Sequence, residues 1–155
     1  MVSITRSAEL EEFARESRRR FMAGDDAWFD RTTAEGVVTS FGTAPGEAAR
    51  GRDAVLALTV DQIREMGEAR GLTLADTEEI EDGTVEAYEA GDAGWIITHD
   101  RFALEDGSWV DNRVVSVVVR DPDDGGWRSV LTTSQLLVPN EFLVPGSPLL
   151  NPADT

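Results

Sequence analysis

Residues 94–120, GWIITHDRFALEDGSWVDNRVVSVVVR, contain two apolar runs on either side of an Asp-Gly dipeptide. Both halves are rich in β-branched and aromatic residues, which is typical of strands. The Asp106-Gly107 dipeptide between them is a strong signal for a two-residue hairpin turn. The stretch therefore predicts two antiparallel strands, over residues 94–104 and 108–120, whose register is set by that turn. In this register Asp100 lies opposite Arg113, and the opposite charges support the alignment.

Alternation along the hairpin divides its side chains between two faces. One predicted face carries Ile96, Thr98, Asp100, Phe102 and Leu104, opposite Val117, Val115, Arg113, Asp111 and Trp109. The other carries Trp95, Ile97, His99, Arg101 and Ala103, opposite Val118, Ser116, Val114, Asn112 and Val110. Both faces are rich in apolar groups, whereas an antiparallel sheet covered on one side alternates apolar with polar residues. We therefore expect helices on one face and, across a two-fold axis, a second copy of the sheet on the other.

Helical spacing of apolar residues precedes the hairpin. A stripe that includes Leu10 and Ala14 predicts a helix over residues 7–22, whose RRR segment at 18–20 is read as a solvated face. Asp25 is expected to cap a short second helix that ends before Gly36, and Asp53 a third.

Turn signals and short apolar runs fill the rest of the chain. GVVTSFG, residues 36–42, predicts a first strand, and the Gly- and Pro-containing GTAPGEAARG, residues 42–51, predicts a loop. Beyond Gly71 the pattern alternates, with turn signals at hairpin spacing. Helices followed by a meander indicate an α+β fold. We expect one domain over residues 1–155, with a core at 7–142 and a C-terminal tail at 143–155.

Charge and residue inventory exclude several classes of function. The net charge of −16 repels phosphate backbones and anionic lipids, so neither nucleic acid nor membrane is an expected partner. The 14 basic residues are all arginine and cysteine is absent, which excludes lysine Schiff bases, P-loops and thiol nucleophiles. The single histidine, His99, cannot build a multi-histidine metal site, and we expect neither metal nor cofactor. The N-terminus lacks the apolar run of a secretory signal, which predicts a cytoplasmic protein.

Three segments resemble the SnoaL-like branch of the nuclear transport factor 2-like superfamily. They are AGDDAWFD with TSFGTAPGEAARGRDAV, VEAYEAGDAGW, and DGGWRSVLTTSQLLVPNEF, and the resemblance runs from about residue 7 to residue 142. It implies a cystatin-like, cone-shaped roll in which a curved antiparallel sheet with a mixed edge wraps around three N-terminal helices. It also implies a pocket at the open end and a homodimer formed through the sheet.

The superfamily includes ketosteroid isomerase, scytalone dehydratase and polyketide cyclases, and also non-catalytic modules. Ketosteroid isomerase uses an aspartate base together with a tyrosine and a protonated aspartate. The matching positions here are Ser17 for the tyrosine, Thr39 or Ser40 for the base, and Ser116 for the second aspartate. Because none of these groups is retained, we do not expect that mechanism.

The resemblance places the His99 face of the hairpin inside the cone. His99 is then the candidate catalytic residue, a general acid or base near neutral pH. The implied ligand-binding residues are Trp95, Ile97, Arg101, Asn112, Ser116, Leu131, Thr133, Gln135 and Ser17. SnoaL-like relatives often carry histidines at the positions of Leu131 and Thr133. The opposite face supplies the predicted dimer interface, namely Ile96, Thr98, Phe102, Trp109, Arg113, Val115 and Val117.

Two functions remain open at this point. One is a pocket protein that binds or transforms a small apolar molecule with a carbonyl or acid group, by proton transfer of the cyclase, isomerase or dehydratase kind. The other is a non-catalytic dimeric module, either a ligand carrier or an interaction domain. If the hairpin register shifts by one residue, every assignment changes face and His99 lies at the dimer interface.

Overall fold

Helices and one mixed sheet make up the computed structural model, which describes residues 3–43, 46–68, 85–103 and 109–137. The helices in these ranges are α1 (Ala8–Met22), α2 (Asp26–Thr32) and α3 (Arg52–Glu68). The strands are β1 (Thr5–Arg6), β2 (Thr39–Phe41), β3 (Ala48–Arg50), β4 (Val85–Ala90), β5 (Ala93–Ala103), β6 (Trp109–Arg120) and β7 (Trp127–Leu137). Their order in the sheet is β1-β4-β5-β6-β7-β2-β3, and β2 runs parallel to β7. The predicted α+β roll with a mixed edge is confirmed.

Side-chain caps begin the first two helices, and the sequence predicts the one at Asp25. The Ser7 hydroxyl accepts a hydrogen bond from the Leu10 amide at 3.3 Å, and the Asp25 carboxylate accepts one from the Trp28 amide at 3.2 Å. The predicted cap at Asp53 is wrong, because α3 begins at Arg52 and Asp53 lies in its first turn.

The predicted loop over residues 42–51 contains a short strand. β3 pairs with β2, and Ala49 is buried opposite Ser40. The Ala-Ala-Arg sequence of β3 has no β-branched or aromatic residue, so its pairing depends on the neighbouring strand and not on local propensity. None of the helices in the described ranges combines the length and the apolar character that crossing a membrane requires.

Two apolar clusters form the core between the helices and the sheet. The cluster beneath α1 contains Leu10, Ala14, Val85, Ala87, Ile96, Val118 and Trp127. The cluster beneath α3 contains Ala34, Val38, Ala49 and Val55, with Leu58 and Val130 packed against it. The helices therefore cover one face of the sheet, as the order of elements predicts.

The predicted hairpin register is wrong by one residue. His99 lies opposite Arg113, and Asp100 lies opposite Asn112. Ala103 pairs with Trp109, so the five residues 104–108 separate the paired positions. A two-residue turn centred on Asp106-Gly107 would require an even number of residues between paired positions. That turn, Leu104 and the predicted tail at 143–155 lie outside the described residues.

Candidate functional site

The two faces of the sheet have different surroundings. The inner face packs against α1: Ile96 and Val118 share a cluster with Leu10, and a Cβ atom on Gly94 would lie 2.5 Å from the Leu10 Cδ1 atom. Even-numbered residues of β5 and β6 therefore lie on the inner face. Odd-numbered residues of these strands lie on the outer face, which is turned away from α1.

The structure separates the residues that the sequence predicts as one site. Ser17 lies on α1, and Asn112 and Ser116 lie on the inner face. His99 lies on the outer face, and by register so do the other predicted ligand-binding positions, Trp95, Ile97, Arg101, Leu131, Thr133 and Gln135. The predicted ligand set is therefore not brought together on one side of the sheet.

The predicted interface residues are separated in the same way. Inner-face positions are Ile96, Thr98 and Phe102, and outer-face positions are Trp109, Arg113, Val115 and Val117. The face predictions for β5 and β7 were wrong because β5 is displaced by one residue and a β-bulge at Val117/Val118 sets the pairing of β7.

Three polar side chains meet on the inner face instead, and we call them the inner cluster: Arg18, Asp100 and Asn112. Arg18 reaches the sheet because it continues the stripe of Leu10 and Ala14 at four-residue intervals along α1. Its Nη1 atom lies 3.0 Å from the Asp100 Oδ1 atom, and the two side chains are 24% and 13% exposed. Asp100 and Asn112 are cross-strand partners, and Asn112 is 8% exposed.

Hydrogen bonding within the inner cluster is incomplete. Five buried side-chain polar atoms of the described residues have no hydrogen-bond partner, and three of them are Arg18 Nη2, Asp100 Oδ1 and Asn112 Oδ1. The Arg18–Asp100 contact is thus a close ion pair whose atoms are not aligned as a hydrogen bond. Buried polar groups in native proteins are almost always paired, so such a concentration requires an explanation.

A row of hydroxyl groups lies on the inner face beside the apolar cluster, at the register of Ile96 and Val118. The Ser116 hydroxyl lies 3.4 Å from that of Thr132, which lies 3.2 Å from that of Ser129. Ser40, which is 7% exposed, is the parallel-strand partner of Thr132. The inner face therefore combines an apolar end beneath the N-terminal half of α1, a row of hydroxyls beside it, and a polar end near Arg18 that carries one cation, one carboxyl and one amide.

No protein-family model matches the chain, and no curated protein matches it. Solved structures do resemble it. A nuclear transport factor 2-like protein with a cystatin-like fold from Novosphingobium aromaticivorans is 19% identical with a TM-score of 0.59, and the match covers 92% of this chain and 84% of that one. A candidate ketosteroid isomerase from Parabacteroides distasonis is 11% identical with a TM-score of 0.56, covering 82% and 86%. A candidate dehydratase of the nuclear transport factor 2-like family from Streptomyces avermitilis is 18% identical with a TM-score of 0.50, covering 77% and 88%.

The protein has a nuclear transport factor 2-like fold. At these identities the resemblance shows the fold, and the chemistry must be argued from the inner cluster itself. Neither Arg18 nor Asp100 was among the residues that the sequence predicts as a site. The RRR segment was read as solvated, which holds for Arg19 and Arg20, both exposed and paired with Glu16. The four-residue stripe through Leu10 and Ala14 was the signal that distinguishes Arg18 from them.

Electrostatics within the nuclear transport factor 2-like fold set Asp100 apart. Burial raises the pKa of the Asp100 carboxyl above its ordinary value of 3.8, while the charges of Arg18 and His99 oppose that shift. Asp100 is thus a carboxyl that holds its proton to a higher pH than an exposed aspartate does.

A concavity lies between α2 and α3. It is a groove of about 340 Å³ lined by side chains that include Phe29, Leu56 and Val60, with Asp26 and Asp30 at its edge. None of the unpaired buried atoms described above belongs to its lining. Within the described ranges, no group of three or more His, Asp or Glu side chains is arranged to hold a metal ion. The inner cluster is therefore the candidate site.

The outer face of the nuclear transport factor 2-like sheet is largely apolar. The rings of Tyr88 and Trp95 are stacked with their centroids 5.6 Å apart. Val115 and Val117 continue this surface across β6, and His99 lies beside Arg113. Trp95, Val115 and Val117 are half-buried in the single chain and form an apolar patch on the face turned away from α1.

Proposed function

We propose that the protein is a cytoplasmic, bacterial SnoaL-like homodimer that binds or transforms a small apolar molecule with a carbonyl or acid group on the inner face. The observation that carries the proposal is the inner cluster, in which a guanidinium, a carboxyl and an amide are buried together with unpaired polar atoms. A mostly apolar surface with a few convergent polar groups and a perturbed pKa is the usual form of a ligand site.

The unpaired buried atoms destabilise the fold when no ligand is bound. A buried donor or acceptor without a partner costs about 1–3 kcal/mol. Asn112 Oδ1 and Arg18 Nη2 are two such atoms, and a ligand that pairs with them removes this cost. Ligand binding thus accounts for polar groups that would otherwise only destabilise the fold.

Asp100 is the group we propose for proton transfer. A carboxyl with a raised pKa can donate a proton and take it back closer to neutral pH than an ordinary aspartate. Arg18, 3.0 Å away, can stabilise negative charge that develops on a substrate oxygen. His99 lies on the other face of the sheet, so we assign it no part in this chemistry.

The outer face supports the dimer. Trp95, Val117 and Leu131 lie side by side across three strands and are half-buried in the single chain. A second copy placed across a two-fold axis would remove this apolar surface from water. His99 and Arg113 would then lie at the interface.

The test compares two neighbouring substitutions on opposite faces of β7. Ser134→Phe places a ring on the inner face and Thr133→Phe places the same ring on the outer face. We expect native mass spectrometry to find a copurified small molecule on the wild type and on Thr133→Phe, and to find it lost from Ser134→Phe. A thermal-shift panel of steroids, polyketides and aromatic acids should follow the same order.

Two results would contradict the proposal. Ligand retention by a folded Ser134→Phe variant would place the ligand elsewhere. A wild type that is empty and unshifted by the whole panel would favour the non-catalytic module instead.

A further inference from the structure

We propose that the inner cluster selects small organic acids, with the unpaired Nη2 atom of Arg18 binding the ligand carboxylate. The inference rests on the function proposed above and narrows its ligand class from carbonyl or acid compounds to acids alone.

One terminal nitrogen of the Arg18 guanidinium is buried without a hydrogen-bond partner. Nη1 lies 3.0 Å from the Asp100 Oδ1 atom, whereas Nη2 is buried and has no acceptor among the described residues. A guanidinium presents its donors in a planar fork that matches a carboxylate, and it stays charged at every relevant pH. The Nη2 atom therefore lacks an acceptor, and a carboxylate would match the guanidinium in charge and shape.

Arg120 lies at the other end of the inner face and is already engaged. Its Nη2 atom contacts Glu9 at 3.0 Å, and its guanidinium lies 4.0 Å from the centroid of the Trp127 ring. Within the described part of the chain, Arg18 is thus the arginine at the polar end of the inner face that has a donor without a hydrogen-bond partner. Because the chain as a whole carries a charge of −16, recognition of an acid here depends on this local cation.

Asp100 competes with the ligand for Arg18. Its burial favours the protonated form, and a protonated Asp100 leaves the guanidinium without a counter-charge. A ligand carboxylate would supply that charge while Asp100 keeps its proton. Acid binding should therefore be accompanied by proton uptake and should tighten as the pH falls toward the range in which Asp100 is protonated.

The experiment is isothermal titration of acids and their uncharged amides of the same shape. The pairs are benzoate with benzamide, trans-cinnamate with cinnamamide, and 1-naphthoate with 1-naphthamide. Each is titrated into the wild type, Arg18→Gln, Asp100→Asn and the control Arg19→Gln, whose arginine is exposed on the same helix and paired with Glu12 and Glu16.

We expect the acids to bind the wild type about tenfold or more tightly than the amides, the size expected of a charge-assisted hydrogen bond. Arg18→Gln should lose this preference, and Arg19→Gln should keep it. Asp100→Asn should bind the acids more tightly than the wild type does and lose the pH dependence, because the competing carboxylate is gone. This opposite sign keeps the test decisive if Arg18→Gln fails to fold.

Equal affinity for acids and amides, or acid binding that survives Arg18→Gln, would overturn the inference and leave the proposed function standing. Weaker acid binding by Asp100→Asn would also overturn it, since the carboxyl would then assist the ligand. Binding of neither series would contradict both the acid preference and the proposed pocket.

Discussion

Asp100 combines burial, a guanidinium partner and a raised pKa in one side chain, so its protonation is coupled to folding. Because its pKa is higher in the folded chain than the ordinary 3.8, the folded state binds this proton more tightly than the unfolded state does. Between 3.8 and the raised value, the free energy of unfolding therefore falls as the pH rises, and outside this window the contribution is constant.

Asp100→Asn removes this titration, which gives the first prediction. In urea unfolding over a pH series, we expect the wild type to gain stability relative to Asp100→Asn as the pH falls through the window above 3.8. Asp123→Asn, at an exposed turn residue, is the control and should track the wild type at each pH. A constant difference between wild type and Asp100→Asn at all pH values would show that Asp100 does not titrate in this window.

Residue composition could not identify these two side chains. Three consecutive arginines have the same chemistry, and only helical phase separates Arg18 from its neighbours. Asp100 was noticed in the sequence but paired with Arg113, because opposite charges facing each other supported an incorrect register. A favourable pair across two strands is weak support for a register, because Asp100 has its cationic partner on α1 instead, in Arg18.

At the scale of elements, α1 depends on a cap that also joins it to the sheet. The Ser7 hydroxyl accepts from the Leu10 amide at 3.3 Å and donates to Glu89 at 2.9 Å, and Ser7 is 5% exposed. We expect Ser7→Ala to lower the free energy of unfolding by about 1–2 kcal/mol. Chemical denaturation measures this directly, with Ser3→Ala at an exposed position as the control, and equal stability of the two variants would count against the cap.

Elements with strong local signals were the predictable ones. An apolar stripe located α1, a capping residue located α2, and alternating residues located the long strands. β3 was missed because it forms by pairing with β2, and its own three residues do not encode that pairing. The predicted β5–β6 register was wrong for a similar reason. Whether the number of residues between the paired ends of β5 and β6 is odd or even decides which face each residue of β5 occupies, and the strand sequences do not encode that number.

At the scale of the molecule, helices cover the inner face and leave the outer face without cover in the described part of the chain. This division explains why so many strand residues are apolar on both sides, as the sequence indicates. It also separates two functions in space, with ligand chemistry beneath α1 and association on the opposite side of the same strands. A change at one face should therefore leave the other intact, provided that the sheet itself is preserved.

Val117→Arg tests the proposed association. Val117 lies between Trp95 and Leu131 at the middle of the outer face, and a two-fold axis there would bring two introduced guanidinium groups close together. A stable dimer interface buries about 1,200–2,000 Å², so one central pair of like charges, each removed from water, should weaken the dimer by about a hundredfold or more. Sedimentation equilibrium measures this change in the dissociation constant.

Val60→Arg, at a 43% exposed position on α3, adds the same charge away from the sheet and should leave the dimer unchanged. Circular dichroism should show that both variants keep their secondary structure, because Val117 is only half-buried within a single chain. A Val117→Arg protein that dimerises as tightly as wild type would move the interface off this face. A wild type that stays monomeric at high concentration would contradict the homodimer. The outer face, including His99, would then bind a partner other than a second copy of the chain.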